Sequence, residues 1–345
     1  MEENTYFVSE PAAEGAPDMP PETAPGSSAA RARKCVSRIG LALFAMMAAQ
    51  YAASYLLEAF ALEHLRGLPG WEGWQLLLMG IVPMYFVGLP VLLAVMRGLP
   101  AEPPQKQPAR GLVLRTVPVC AFLTYAGSFA GILLMTWINS RLPNSVPNGV
   151  AENMMGEYGW QMPLLTVVVA PVMEELVFRR LLIDRLHMYG QRMAVCVSAM
   201  VFGLYHGNFY QFFYAVFLGI AFGYVYLKTG KLWHTMALHA GVNFIGGVVA
   251  SSLADLELTD PNGDIVQTIA GMREMLLILL FTMAMLGAAI AGLTILIKRR
   301  REIRLEPTPA DGVTAGRALL TPGMLLFIIA ACGSFALYML SYQMR

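Results

Sequence analysis

Charged residues are scarce in this sequence. Only 14% of the 345 residues are charged, whereas 57% are hydrophobic, and soluble domains carry roughly 25% charged residues. The formal net charge of +1 provides no basic excess that would attract a nucleic acid. The composition therefore predicts a polytopic membrane protein that contacts lipids and has no nucleic-acid partner.

Cysteine is also rare, and its spacing excludes the common cysteine motifs. The four cysteines lie in or beside separate apolar runs, without metal-type or redox-type pairs, and are interpreted as small core residues: Cys35, Cys120, Cys196 and Cys332. An internal repeat, as found in many transporters, is lacking. The sequence also lacks an early apolar run, so we expect its first apolar run to be a signal anchor and not a cleaved signal peptide.

Long apolar runs are what the sequence has in abundance. Nine windows approach the roughly 20 residues that a spanning helix requires: 36–60, 74–96, 113–139, 162–186, 192–207, 210–228, 231–252, 275–297 and 321–342. We therefore predict an all-α, polytopic transmembrane bundle of about nine spanning helices. The connecting segments are too short to form a folded domain, so any activity must be assembled among the helices.

The distribution of basic residues predicts the orientation of these helices. Lys and Arg concentrate in alternate connecting segments, including those that contain Arg97, Lys228 and Lys298. The positive-inside rule then places the N-terminus in the cytoplasm and, with nine spans, the C-terminus outside. Residues 1–34 are rich in Pro, Ala, Gly, Ser and Glu, and we expect them to form a disordered cytoplasmic tail.

Ionisable side chains in the fourth window are the first indication of chemistry. Glu174 and Glu175 occur inside an apolar run, where charged groups are costly and usually functional. Glu175 and Arg179 are one helical turn apart, so they are predicted to pair. Glu174 projects about 100° away and remains free for another role.

Three further polar residues recur at the spacing of one helical turn. His206 follows Phe202 by four residues, and Asn243 follows His239 by four. With a rise of about 1.5 Å per residue, the two histidines, Asn243 and Glu174 all fall at a similar distance from the predicted inner ends of their helices. We therefore expect these four side chains to line one cavity among helices four to seven.

These motifs resemble those of a known family. Glu174-Glu175-x-x-x-Arg179, Phe202-x-x-x-His206 and His239-x-x-x-Asn243 are similar, in this order, to the motifs of CPBP intramembrane proteases, also known as metalloproteases or the Abi family. The family includes the type II CAAX prenyl endopeptidases, which are the Rce1-like proteins. The resemblance covers residues 110–252 as a catalytic core, flanked by membrane helices in residues 35–109 and 253–345.

The resemblance implies a role for each motif. Glu174 and His206 would activate a water molecule, while His239 and Asn243 would stabilise the oxyanion. Glu175, Arg179 and Phe202 would support the site. The implied substrate is a peptide or protein at the membrane, prenylated or apolar, reached from the cytoplasmic side of a bacterial plasma membrane.

Alternatives from the residues alone stay open. The two histidines and Asn243 also suit interhelical hydrogen bonds, and the protein would then be a non-catalytic peptide-binding, scaffold or bacteriocin-immunity protein. We favour a mechanism without a metal cofactor, although Glu174, His206 and His239 form an alternative set of zinc ligands. A cluster of aromatic residues after His206 is interpreted as lipid contact: Phe209, Tyr210, Phe212, Phe213, Tyr214 and Phe217.

Overall fold

Helices make up all the regular structure of the described residues. The computed structural model describes residues 25–65, 71–108, 110–148, 160–254, 269–307 and 312–344. The single-segment helices are α1 (Pro25–His64), α3 (Arg110–Asn139), α5 (Gln191–Tyr205), α6 (Phe209–Thr229), α8 (Ile269–Lys298), α9 (Ala315–Leu319) and α10 (Pro322–Gln343). The predicted all-α, polytopic fold is confirmed.

Three further helices contain π-helical turns. Helix α2 comprises Trp71–Ile81, the π-helical Val82–Gly88 and Leu89–Met96. Helix α4 comprises Gln161–Pro163, Leu164–Val169 (π), Ala170–Glu175, Leu176–Leu181 (π) and Leu182–Leu186, and ends in the 3₁₀ turn His187–Tyr189. Helix α7 comprises Leu232–Asn243, Phe244–Val249 (π) and Ala250–Ala254. π-turns are rare and concentrate at functional sites. The two glutamates of α4 lie directly between two of them.

Eight helices of the described chain are long and apolar enough to cross a membrane. They correspond to eight of the nine predicted windows, whereas the fifth window forms α5, which has only 15 residues. At about 1.5 Å per residue it extends about 22 Å, less than the roughly 30 Å hydrocarbon core. Gly207, with a φ of +68°, and the N-cap residue Asn208 end α5 and begin α6, so the fifth of the nine predicted spans is a partial one.

The turn between α5 and α6 lies inside the bundle. A Cβ atom added to Gly131 of α3 would come within 2.7 Å of the Phe209 carbonyl oxygen. Gly131 precedes Asn139, the last residue of α3, by eight residues, which corresponds to about 12 Å. The end of α5, which carries His206, therefore packs against the middle part of α3 and not against its C-terminal end.

The connecting segments with basic residues meet at one face. The Gln107 amide donates to the Thr229 carbonyl oxygen, and the Arg192 side chain donates to the Leu305 carbonyl oxygen. The opposite ends of α3 and α10 meet through Gln343, whose side chain bonds to the backbone of Asn144. The connecting segments rich in basic residues thus lie at one face and alternate with segments at the opposite face, as predicted. The cytoplasmic location of the basic face remains a prediction.

Helix α1 begins earlier than predicted. It starts at Pro25, so the last ten residues assigned to a disordered tail belong to the helix, and residues 1–24 lie outside the described residues. Ala and Arg, which favour helices, are frequent in this stretch, and α10 packs against it. The Gly323 amide donates to Ser37 Oγ at 3.0 Å, so the first and last long helices are in direct contact.

Candidate active site

The two glutamates of α4 have different environments. Glu175 is fully buried, while the Glu174 side chain keeps 18% of its surface exposed. Consecutive helical residues project about 100° apart, so the two carboxylates lie on different faces of α4, and only that of Glu175 is completely enclosed. The two adjacent carboxylates therefore differ in accessibility, and the separate role predicted for Glu174 remains a prediction.

Glu175 and Arg179 form the predicted ion pair. Arg179 Nε lies 3.0 Å from Glu175 Oε2, and both side chains are 0% exposed. The two groups are not aligned as a hydrogen bond, so electrostatic attraction dominates the contact. The guanidinium also lies 4.6 Å from the ring centroid of Phe202 and 5.4 Å from that of Phe222. Aromatic faces partly replace the solvation that the cation loses.

His239 of α7 bridges the two glutamates. Its Nδ1 is 3.0 Å from Glu175 Oε1, and its Nε2 is 3.8 Å from Glu174 Oε2. The ring centroids of Phe202 and Phe222 lie 5.7 and 5.5 Å from that of the imidazole. The contact between His239 and Glu175 was not predicted, because the two residues are 64 positions apart and belong to different helices.

His206 is positioned by the end of α5. As the C-cap residue it places Nδ1 2.8 Å from the carbonyl oxygen of Phe202, one turn earlier. A carbonyl oxygen only accepts hydrogen bonds, so Nδ1 must carry the proton, and Nε2 of the neutral ring presents a lone pair. His206 interacts electrostatically with Glu174 and His239. Glu174, His206 and His239 thus lie near one another, and their roles remain predictions.

Asn243 connects α7 to α4. Its Nδ2 donates to the carbonyl oxygen of Thr166 at 2.8 Å, within the first π-turn of α4. An amide nitrogen carries two hydrogens, so this bond leaves one N–H for another acceptor. Asn243 therefore lies one turn beyond His239, as predicted, and also fixes the distance between the two helices.

Phe202 occupies the centre of the site. Its ring lies edge-on to His206 with centroids 4.8 Å apart, and 5.0 Å from Phe178. Together with its contacts to Arg179 and His239, this packing fixes the relative positions of the charged groups. The predicted supporting position of Phe202 agrees with these contacts.

The described side chains do not assemble a metal site. Within the described ranges, no group of three or more His, Cys, Asp or Glu side chains is placed to hold a metal ion. Of the alternative zinc ligands Glu174, His206 and His239, His239 directs Nδ1 at Glu175 and has Nε2 3.8 Å from Glu174. A carboxylate at the other ring nitrogen is common in metal-binding histidines, so the choice between a metal-free and a zinc mechanism remains a prediction.

Several polar residues in this part of the fold were not predicted to belong to the site. The Tyr205 hydroxyl donates to Gln50 Oε1 of α1, and Tyr85, Tyr205 and Tyr214 all interact electrostatically with Glu174. The sequence contains one signal that could have identified such residues. Amide side chains occur within the first and sixth apolar windows, and an amide is costly in lipid unless it is hydrogen-bonded.

The aromatic cluster of α6 differs from its interpretation as lipid contact. Phe209 and Phe212 pack against Phe335 of α10, with ring centroids 4.7 and 6.0 Å apart. Tyr214 packs against buried residues of the core. Much of this cluster therefore joins α6 to its neighbours, because the partial helix α5 leaves space that α10 fills.

Comparison with known proteins agrees with the motif order. Residues 157–245 match the family model described as Type II CAAX prenyl endopeptidase Rce1-like. This segment is similar to the Rce1-like endopeptidases. It contains every predicted site residue and confirms the resemblance stated from the motifs, within narrower bounds than the predicted core of residues 110–252. No curated protein and no solved structure matches the chain.

The Rce1-like region is embedded in a larger membrane fold. With eight candidate spans in the described chain, the protein is an integral multi-pass membrane protein. Helices α1, α2, α3, α8 and α10 lie outside the matched region. Helix α1 nevertheless contacts the matched region, since Gln50 accepts a hydrogen bond from the Tyr205 hydroxyl, next to His206.

Proposed function

We propose that the protein is an intramembrane endopeptidase of the CAAX type. The observation that carries the proposal is the cluster of Glu174, His206 and His239 inside an Rce1-like region. The substrate class is a membrane-associated peptide or protein, prenylated or otherwise apolar, that enters from the cytoplasmic face. The reaction is the hydrolysis of one peptide bond.

Glu174 is the principal general base in this proposal. Its Oε2 is buried and makes no hydrogen bond within the described residues, so it is available to a water molecule. His206 offers a second acceptor, because its Nδ1 hydrogen is used by Phe202 and its Nε2 carries a lone pair. One water can donate a hydrogen to each group while its oxygen attacks the peptide carbonyl carbon.

His239 acts as an electrostatic stabiliser of the oxyanion. The carboxylate of Glu175 only accepts, so His239 Nδ1 donates to it. The proposed role requires the imidazolium form of His239, in which both ring nitrogens carry a hydrogen. Its Nε2–H, 3.8 Å from Glu174 Oε2, is then a donor beside the proposed base.

Asn243 supplies the second donor. One N–H is bonded to Thr166, and the other remains available. Preorganised donors of this kind stabilise a developing negative charge strongly because the surrounding site is apolar. As the tetrahedral intermediate collapses, the C–N bond breaks and the proton taken from water passes to the leaving amine. No step of this mechanism uses a metal.

The test compares cleavage by folded variants. Glu174→Gln removes the carboxylate but keeps its shape, and His206→Ala removes the second acceptor. Each is expected to lower the kcat for an internally quenched, farnesylated CAAX peptide in detergent micelles by on the order of 10²-fold or more. The control is Arg299→Met, which lies in a partly exposed pair with Glu302 and should retain wild-type activity.

Two results would count against the proposal. Wild-type rates in Glu174→Gln, with insertion and thermal stability unchanged, would exclude its role as the base. A chain that binds the peptide but does not cleave it, and whose Glu174→Gln variant binds equally well, would instead be a peptide-binding or immunity protein. Loss of cleavage upon chelation, with recovery upon addition of zinc, would replace the metal-free mechanism.

A further inference from the structure

An apolar cleft opens at the basic face of the bundle, and none of its lining residues belongs to the candidate active site. Its volume is about 240 Å³, and it is enclosed by residues of α3, α6 and α8 and of the segment that follows α8. Most of the lining is aliphatic or aromatic, and charged side chains occur only at the end nearest the basic face. Helices α3 and α8 lie outside the segment that matches the family model.

Both α6 and α8 pack closely on α3. A Cβ atom added to Gly127 of α3 would overlap the backbone of Tyr214 in α6, and one added to Gly292 of α8 would overlap the carbonyl group of Pro118 in α3. Small residues of this kind let helix backbones approach each other closely. Helix α3 therefore holds α6 and α8 beside it, and the cleft is the space that remains between the three helices.

The cleft and the candidate active site use different faces of α6. Four residues of α6 line the cleft at intervals of three and four, which places them on one face of the helix: Phe217, Ile220, Ala221 and Tyr224. Phe222, which packs beside His239, projects about 100° away from Ala221. A molecule in the cleft would therefore not lie beside His239.

Arg115 of α3 places a positive charge at the mouth of the cleft. It lies five positions after Arg110, the first residue of α3, which corresponds to about 7.5 Å along the helix, and it belongs to a candidate membrane span. Its side chain lines the cleft and forms no hydrogen bond or ion pair with any other described residue. An ionisable side chain within a spanning helix is costly unless it is paired, and it commonly marks a functional position.

Lys228 of α6 adds a second positive charge at a similar depth. Its Nζ lies 5.9 Å from the ring centroid of Tyr224, which lines the cleft. Helices α3 and α6 run in opposite directions and touch where Gly127 meets Tyr214. From that contact toward the basic face, Arg115 is about 18 Å away along α3 and Lys228 about 21 Å away along α6.

The apolar length of the cleft is comparable to one leaflet of a membrane. It extends along α3 as far as Leu123, eight residues beyond Arg115, which corresponds to about 12 Å. One leaflet provides half of a hydrocarbon core of about 30 Å. Thr116, which also lines the cleft, donates its hydroxyl hydrogen to the Leu112 carbonyl oxygen. The cleft therefore has a cationic end and an apolar length that suits an acyl chain.

We propose that the cleft binds an anionic glycerophospholipid, with an acyl chain along its apolar length and the phosphate beside Arg115 and Lys228. Arg299 and Glu302 at the rim pair with each other at 2.7 Å, so they compensate each other and the mouth of the cleft stays cationic. A zwitterionic lipid would bring its own ammonium group toward the two cations, whereas an anionic headgroup complements them. Basic pockets between membrane helices bind anionic headgroups in this way. The inference does not depend on the proposed endopeptidase function.

Native mass spectrometry of the full-length protein in detergent tests the charged part of the site. The probes are dioleoylphosphatidylglycerol, which is anionic, and dioleoylphosphatidylcholine, which is zwitterionic. We expect the wild type to bind the anionic lipid about fivefold more tightly, and Arg115→Met and Lys228→Met each to lose about fivefold in that affinity, since one basic residue near anionic lipid contributes about 1 kcal/mol. The matched control is Arg300→Met, an exposed arginine of the same face that does not line the cleft, whose affinity should stay within about twofold of the wild type.

A second variant tests the apolar part without changing any charge. Ala221 lines the cleft, and Ala221→Trp places an indole where the acyl chain would lie. We expect about tenfold weaker binding of the anionic lipid, which corresponds to about 55 Å² of apolar surface that the chain no longer buries. The control is Ile297→Trp, at a residue that is 57% exposed and outside the cleft, and unfolding temperatures establish that both variants are folded.

Several results would overturn the proposal. Equal binding of the two lipids, or wild-type affinity in Arg115→Met, would exclude a specific headgroup site. A loss in Arg300→Met as large as that in Arg115→Met would show that the whole basic face attracts the lipid. Glycerol 1-phosphate, which has no acyl chain, should not bind at the same concentrations, and binding as tight as that of the lipid would assign the cleft to a soluble phosphate compound. Peptide cleavage is a separate measurement, so a failure of the proposed function leaves this test intact.

Discussion

Replacing Arg179 by methionine tests whether the buried ion pair holds the site together. Methionine keeps much of the packing between Phe202 and Phe222 but removes the charge that compensates Glu175. The Glu175 carboxylate is 0% exposed and would retain only His239 as a close charged partner. Removing one partner of a buried ion pair commonly costs about 3–5 kcal/mol, so we expect Arg179→Met to lose stability of that order.

A second substitution separates charge from packing. Glu175→Gln in the Arg179→Met background removes the unpaired charge, and replacing both partners of a buried pair is often nearly neutral. We therefore expect the double variant to regain much of the stability lost in Arg179→Met. Its activity should remain low, because His239 would no longer face a carboxylate at Nδ1.

An exposed pair of the same chemistry serves as the control. Arg299 Nη1 lies 2.7 Å from Glu302 Oε2, with the two side chains 39% and 63% exposed. Exposed pairs contribute roughly 0–1 kcal/mol, so Arg299→Met should change stability by less than about 1 kcal/mol. Reversible unfolding in mixed detergent, followed by circular dichroism, measures all three variants. If Arg179→Met is as stable as Arg299→Met, the buried pair does not have the proposed structural role.

Three further predictions follow from helix contacts and site chemistry. Gly323→Val should lower the unfolding temperature markedly, because a Cβ atom at Gly323 would lie 1.8 Å from a carbonyl oxygen of α1. A Cβ atom at Gly333 of the same helix would meet nothing within 4 Å, so Gly333→Val should be tolerated. Equal unfolding temperatures of the two variants would refute the close contact of α1 with α10. Asn243→Ala should lower kcat by on the order of 10²-fold, because an oxyanion donor is lost. The control Asn139→Ala breaks hydrogen bonds to Val146 outside the site and should keep the wild-type kcat. Equal kcat values in the two variants would show that Asn243 is not an oxyanion donor. Dialysis against a chelator should leave the cleavage rate unchanged, and a rate that depends on added zinc would contradict the metal-free mechanism.

Local spacing made part of the site predictable. The pairing of Glu175 with Arg179 follows from an interval of four residues on a helix, and that geometry needs no other element. The proximity of Glu174, His206 and His239 was predictable from their similar distances to the inner ends of their helices, because each distance is counted along a single helix. The roles of these residues in hydrolysis remain predictions.

Other features could not be predicted in the same way. The partial length of α5 depends on a turn at Gly207, with positive φ, which a hydropathy window does not detect. The contact between His239 and Glu175 depends on how helices are rotated about their axes. In lipid, that rotation is set by close packing between helices and not by hydrophobicity alone.

The sequence by itself determined that this is a multi-pass helical membrane protein and which few ionisable residues lie within its helices. These features depend on composition and on the fixed rise and periodicity of a helix. The tertiary structure decided which oxygen of each glutamate faces which partner, and that α1 bonds to the end of α5 through Gln50. Such contacts join residues as far as 155 positions apart, and only the packed arrangement of the helices fixes their distances and directions.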